Sequence, residues 1–171
     1  FLTALGQSNE MIEKVVQVVT EHLKPAMLYL QEQSGTPVSD GAIRKLAQRI
    51  APANIEQHIF VAQADHMGRG PFVDTKEPAQ YLLSDGFPAG RWLRERAHKA
   101  QVYEKPAAPL IQGRDLIGLG LSPGPHFGRI IQLADRLRDE KGWDRETVLQ
   151  KIQANPDRSE EVLINHLAEM K

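Results

Sequence analysis

The sequence predicts an all-α fold, an irregular bundle of about seven to nine helices, because helical periodicity dominates the chain. Apolar residues recur at spacings of three and four, as in the run from Met11 to Leu23. Capping residues precede such runs, with Ser8 or Asn9 before the first and Pro88 at the start of a later one. No segment has the strict alternation of a half-buried strand.

The helices can be placed in order from these signals. The first carries a β-branched run, which is unusual for a helix but acceptable if the segment is buried on most of its sides. Ser39 or Asp40 caps the third helix, and Asn54 caps the fourth. A turn or two of helix is expected around 79–83 in an otherwise loop-rich stretch. Prolines, glycines and caps delimit further helices over about 25–33, 40–50, 55–68, 88–99, 125–141, 145–153 and 159–170.

The composition is that of an ordinary soluble globular protein, with 171 residues, 25% charged and 41% hydrophobic. The formal net charge of −1 means that any nucleic-acid contact depends on local basic patches. The absence of cysteine excludes disulfides and thiolate zinc sites and fits a cytoplasmic location. No apolar run approaches the ~20 residues that cross a bilayer, so no membrane contact is expected. The chain begins at Phe1, which indicates a piece of a longer product.

A proline-rich stretch at 105–109 is the clearest linker, because its two prolines disfavour helix on both sides. We therefore predict a helical domain over 1–104, a linker over 105–112 and a helical subdomain over 113–171.

A glycine- and proline-rich turn lies just after the linker, in the segment from Leu119 to Pro125. Gly120 and Gly124 can take a positive φ, and Pro125 fits the first position of the helix that follows. Such a turn could present backbone N–H groups to a phosphate at a positive helix end. It could equally be a joint between two packed helices, and its geometry alone favours the joint.

Basic residues are concentrated in two places. Arg91, Arg94, Arg96 and Lys99 form one cluster, with Arg69 expected nearby. A second set of arginines flanks the glycine- and proline-rich turn: Arg114, Arg129, Arg136 and Arg138. These cations are suited to a phosphate backbone. Nearby acidic residues dilute the charge, so a solvated helix face explains them as well.

No complete active site can be assembled from the sequence. Asp65-His66 with His58 could begin a metal site, although a polar helix face is the more common origin of such a pattern. The chain has no Gly-Ser with a following Asp-x-Asp pair, no Ser/His/Asp order and no nucleotide-binding glycine loop.

Three segments, at 64–69, 90–95 and 113–125, resemble the C-terminal region of bacterial CCA-adding tRNA nucleotidyltransferases and the related poly(A) polymerase family. The resemblance spans about 1–150 and is closest to members that carry an HD domain. It implies the second half of an HD-type domain followed by a small helical RNA-binding subdomain. Asp65 matches the last metal ligand of HD domains and His22 a possible auxiliary one, but the earlier His and the His-Asp doublet are absent.

The resemblance implies a role as the tRNA-binding portion of a CCA-adding or A-adding enzyme. The catalytic head is absent, so this chain is not expected to be active alone. It would need no cofactor itself, whereas Mg²⁺ would serve the full-length enzyme, and its partners would be tRNA and the upstream head. Two alternatives remain: the C-terminal half of an HD metal-dependent phosphohydrolase, and a helical protein-interaction scaffold. The implied phosphate-binding residues are Arg69, Arg91, Arg94, Lys99, Arg114, Gly120, Gly124 and Arg129.

Overall fold

The structure is a computed structural model that describes residues 2–68 and 86–169. Within these ranges the chain forms α-helices and one short 3-10 turn, and no strand occurs. This confirms the predicted all-α bundle of seven to nine helices. Arg69 and the helical turn expected at 79–83 lie outside the described residues. The helices are α1 (Asn9–Thr20), α2 (Lys24–Gln33), α3 (Asp40–Ile50), α4 (Ile55–Gly68), α5 (Pro88–Lys99), α6 (Gly113–Gly118), α7 (His126–Lys141), α8 (Arg145–Ala154) and α9 (Ser159–Ala168).

The chain divides into two compact units, Phe1–Ala107 and Ala108–Lys171. The first unit holds α1 to α5, and the second holds α6 to α9. The domain limits expected at 104 and 113 stay a prediction.

The core of the first unit is built around α3 and α5. Ser39 caps α3, since its Oγ accepts a hydrogen bond from the Ala42 N–H at 3.1 Å. The apolar stripe of α3 is fully buried against α4 and α5, as its periodicity predicts. On α5 the buried face is carried by Leu93 and Ala97. This packing leaves Arg91 exposed and Arg94 at the edge of the unit, whereas the Arg96 side chain is only 19% exposed.

The β-branched run of α1 forms a helix although the segment is not buried on most of its sides. Val18 is the buried residue of this helix, whereas Val16 and Val19 are 51% and 53% exposed. The reason is that α1 packs on α3 and α4, which leaves Ile12 and Val15 half-buried and Val16 and Val19 exposed. The cap at Ser8 is confirmed, because its Oγ accepts from the Met11 N–H at 3.2 Å.

The second unit packs α9 along α7, with α8 beside α9. The predicted stripe of α7 is buried at Ile130, Ala134 and Leu137, and Leu163 of α9 belongs to the same core. This arrangement sets the first turn of α7 beside the segment that leads into α9. No helix in the described ranges is both long and apolar enough to cross a membrane.

Candidate functional site

The glycine- and proline-rich turn closes one helix and opens the next. Gly120 has a φ of 86°, and its N–H donates to the Ile117 carbonyl at 2.9 Å. The Leu121 N–H donates to the Leu116 carbonyl at 3.1 Å. This is the pattern of a glycine-terminated helix end, in which backbone donors satisfy the last carbonyls. The N–H groups of Gly120 and Leu121 therefore already donate hydrogen bonds to carbonyl groups of α6.

Gly124 has a different role, because it faces the ring of His126. A Cβ at this position would lie 2.8 Å from both Cε1 and Nδ1 of the ring. The imidazole also meets the Phe127 ring edge-on, with 5.1 Å between the centroids. Gly124 therefore provides the room in which the His126 ring is held.

Two arginines of the basic cluster of α5, Arg94 and Arg96, bind carboxylates of other helices. Arg94 donates to both oxygens of Glu56 on α4, from Nε at 3.0 Å and from Nη2 at 2.8 Å. The Tyr103 hydroxyl donates to the same carboxylate at 2.6 Å. The hydrogen bond from Arg94 lowers the pKa of Glu56 despite partial burial, and Glu56 in turn raises the pKa of Arg94.

Arg96 is held inside the first unit. Its guanidinium donates to Glu32 of α2 at 3.2 Å, to Asp40 of α3 at 3.0 Å and to the Val38 carbonyl. Its side chain also lies over the Trp92 ring, 5.9 Å from the centroid. These contacts join three helices, so Arg96 is a structural residue.

Arg91 lies in a small cavity at the start of α5, and we call this cavity the α5 pocket. It has a volume of about 150 Å³ and is lined by Arg91 and Arg94, by Gln63 of α4, and by Gly86, Phe87, Gly90 and Ile59. No side chain caps the N-terminus of α5. The pocket therefore combines two guanidinium groups with a helix end of partial positive charge.

Gly90 is required at the floor of this pocket. A Cβ at this position would lie 2.8 Å from Phe87 Cδ1 and 2.9 Å from Ile59 Cγ2, two buried side chains. In the segment at 90–95, Gly90 is thus needed for close packing on Phe87 and Ile59, and the following residue, Arg91, lines the cavity.

The remaining predicted contacts are spread over the surface. Lys99 at the end of α5 and Arg114 in α6 are both exposed. The Arg129 side chain is 75% exposed and lies 3.6 Å from the Glu160 carboxylate. Arg114 is next to Asp115, which accepts from the Gln112 N–H at 2.8 Å and from Arg145 at 2.9 Å. Lys99 belongs to the first unit, and Arg114 and Arg129 belong to the second.

The predicted metal ligands do meet. Nε2 of His22 lies 3.7 Å from Oδ2 of Asp65 beside a cavity of about 30 Å³. Over the described ranges, however, no group of three or more potential metal ligands occurs. His58 is fully buried elsewhere, where Nε2 pairs with the Glu21 carbonyl at 2.9 Å and burial lowers its pKa. Two donors are fewer than protein metal sites use.

Sequence reasoning missed the contribution of α4 to the α5 pocket. Glu56, Ile59 and Gln63 have spacings of three and four, which place them on one face of α4. That face lies against α5. The spacing could have indicated a shared face, but not that this face would meet Arg91 and Arg94.

Comparison with known proteins gives one relevant similarity. The chain is 27% identical over 142 residues to a Ribonuclease Z of Oenococcus oeni, a match that covers 74% of this chain. It spans 43% of the length of that relative. No family model matches the chain. No solved structure matches it.

The expected assignment to the CCA-adding and poly(A) polymerase family is therefore wrong, because the similarity found is to a ribonuclease of a different family. Neither the nucleotidyltransferase role nor the two alternatives, an HD phosphohydrolase and an interaction scaffold, has support. The physical reason is that the resembling segments serve packing and capping. Gly90 fills a tight contact, Gln112 and Asp115 cap α6, and Gly120 ends it. Short elements of this kind can recur in unrelated helical proteins.

Proposed function

We propose that this chain is an RNA-binding helical region that takes part in tRNA processing. The α5 pocket is the observation that carries the proposal, since it presents Arg91 and Arg94 to a small cavity at a helix N-terminus. The similarity to a Ribonuclease Z supports RNA as the class of partner, and tRNA as its type.

The size and chemistry of the α5 pocket favour a single phosphate group. About 150 Å³ is smaller than the ~300–1,000 Å³ of sites that enclose whole small molecules. Guanidinium groups match phosphate oxygens with paired N–H donors, and the Gln63 amide adds another donor. A backbone phosphate that enters this cavity would position the RNA without reading its sequence.

Arg91 is the residue of this pocket that we assign to the phosphate. Its exposed side chain lines the pocket in the first turn of α5, beside the uncapped N-terminus of that helix. Lys99, Arg114 and Arg129 are exposed, and we propose that they make further contacts with the backbone. The net charge of −1 is consistent with this, because binding would depend on these local cations.

Binding of a fluorescein-labelled tRNA by the whole chain tests this proposal through fluorescence anisotropy. We expect Arg91→Ala to weaken binding by about tenfold, the loss of one or two charge-assisted hydrogen bonds. Lys45→Ala is the matched control, because Lys45 is an exposed cation of the same unit that does not line the pocket. Equal affinity of the wild type and Arg91→Ala, or an equal loss in Lys45→Ala, would reject the α5 pocket as the RNA site.

A further inference from the structure

The second unit contains a larger cavity than the α5 pocket, and its lining has the opposite charge. Its volume is about 460 Å³, within the range of small-molecule sites. It lies between the glycine- and proline-rich turn, the first two turns of α7 and the segment that opens α9. We call it the α7–α9 cavity.

Hydrogen-bond acceptors dominate the walls of this cavity. Asp157 and Glu160 both line it, together with Ser122 and Ser159. The buried Ser159 hydroxyl donates to the Pro156 carbonyl at 2.7 Å, so its oxygen is left to the cavity as an acceptor. A ligand of this cavity must therefore supply N–H or O–H donors.

A flat wall completes the site. His126 lines the cavity, and its ring makes a T-shaped contact with the Phe127 ring at 5.1 Å between the centroids. Gly124 allows this ring position, because a Cβ there would lie 2.8 Å from the imidazole. Ile130 and Leu121 add apolar surface beside the ring. Imidazole rings are among the aromatic groups on which unstacked RNA bases stack.

Arg129 lies at the edge of the cavity and is not one of its lining residues. Arg129 is 75% exposed and lies 3.6 Å from Glu160. It can therefore attract a phosphate to the rim while the interior receives an uncharged group that donates hydrogen bonds. A nucleotide has both parts, since its phosphate is anionic and its base carries amino and ring N–H donors.

We propose that the α7–α9 cavity binds an unpaired guanine base of the RNA, with its flanking phosphate at Arg129. The proposal rests on the proposed RNA-binding function and adds which base of the RNA is recognised. The Watson–Crick edge of guanine presents two adjacent N–H donors, which match the two oxygens of one carboxylate. Adenine and cytosine present a single amino group there, and uracil presents one N–H between two acceptors.

Calorimetric titration of the whole chain with 5′-GMP, AMP, CMP and UMP tests this inference. We expect GMP to bind about tenfold more tightly than the other three, the discrimination of one bidentate pair. Asp157→Asn and Glu160→Gln remove one carboxylate each without changing its shape, and at least one of them should abolish the preference for GMP. Glu161→Gln is the matched control, since Glu161 is the neighbouring exposed carboxylate and does not line the cavity.

Three outcomes would overturn the inference: equal affinity for all four nucleotides, retention of the GMP preference in both cavity variants, and spermidine binding that excludes GMP. The last result would make the cavity a cation site.

These failures are distinguishable from failure of the RNA-binding function. A chain that binds tRNA through Arg91 but shows no GMP preference refutes only the guanine site. A wild-type chain that does not bind tRNA refutes the proposed function.

Discussion

Arg94 of α5 and Glu56 of α4 form a bidentate ion pair, with Nε–Oε2 and Nη2–Oε1 distances of 3.0 and 2.8 Å. The Tyr103 hydroxyl completes the arrangement by donating to Oε2. This pair joins α4 to α5 next to the α5 pocket, which Arg94 lines together with Arg91.

Replacement of Arg94 should reduce stability. We expect Arg94→Ala to lower the free energy of unfolding by about 1 kcal/mol, because the bidentate pair with Glu56 is lost. The loss is modest because the Arg94 side chain is 41% exposed, so solvent partly screens the pair. Arg94→Lys should lose most of the same amount, since an ammonium group cannot form both bonds. Urea unfolding measures both changes. Lys99→Ala, which removes an exposed charge from the same helix, should change stability by less than about 0.5 kcal/mol. If Arg94→Lys matches the wild type, the paired geometry contributes nothing.

Replacement of Gly90 should strain the floor of the α5 pocket. The new methyl group of Gly90→Ala would press on Phe87 and Ile59, so we expect a loss of about 1–3 kcal/mol in unfolding free energy. Gly128→Ala is the control, because Gly128 lies within α7 and a Cβ there meets nothing within 4 Å. That variant should gain about 0.5–1 kcal/mol from helix propensity alone. Thermal melts followed by circular dichroism distinguish the two, and a stabilised Gly90→Ala would show that the contact is not tight.

Acid should destabilise the first unit through His58. Burial lowers the pKa of this imidazole in the folded state, and the hydrogen bond to Glu21 opposes the shift without cancelling it. The unfolded chain therefore takes up the proton first as pH falls below about 6.5, and the stability present above that pH is lost as pH approaches the folded pKa. Unfolding free energies measured by urea between pH 7.5 and 5 should decline more steeply in the wild type than in His58→Gln.

An exposed histidine provides the comparison for this pH effect. His98 lies on the outside of α5, with its ring stacked on Tyr103 at 4.0 Å. His98→Gln should keep the pH dependence of the wild type, whereas His58→Gln should flatten it. An unchanged slope in His58→Gln would contradict the link between burial of this ring and acid sensitivity.

Gly120→Ala should destabilise the second unit. A φ of 86° is costly for a residue with a Cβ, by about 1–2 kcal/mol. Gly118→Ala is the control, because a Cβ at Gly118 meets nothing within 4 Å and this residue has no positive φ. Circular dichroism melts measure both variants. A melting temperature of Gly120→Ala equal to that of the wild type would contradict the cost of the positive φ.

Local signals in the sequence were enough to predict most helices. Ser8 and Ser39 act as N-caps, α5 begins at Pro88, and α7 ends at Lys141, each as its capping or breaking residue indicates. These features depend on neighbours within one turn of helix. The exposed side of α1 shows the limit of such signals, because apolar periodicity does not say whether a second helix will cover a face.

The partners of the charged residues could not be predicted in the same way. Arg94 binds a carboxylate 38 positions away, and Arg96 binds others 64 and 56 positions away. Which arginine is neutralised depends on how helices pack, and one sequence does not give that packing. Both cavities likewise arise between segments that are distant in the chain.

The salt dependence of tRNA binding reports directly on whether Arg91 holds a backbone phosphate. Phosphate contacts release counterions, so the logarithm of the binding constant should fall linearly with the logarithm of salt concentration. If Arg91 holds a backbone phosphate, Arg91→Ala should make the slope shallower by about 0.7–0.9, the share of one phosphate contact, and Gly128→Ala should keep the slope of the wild type. An Arg91→Ala slope equal to that of the wild type, or wild-type binding that does not respond to salt, would contradict the account.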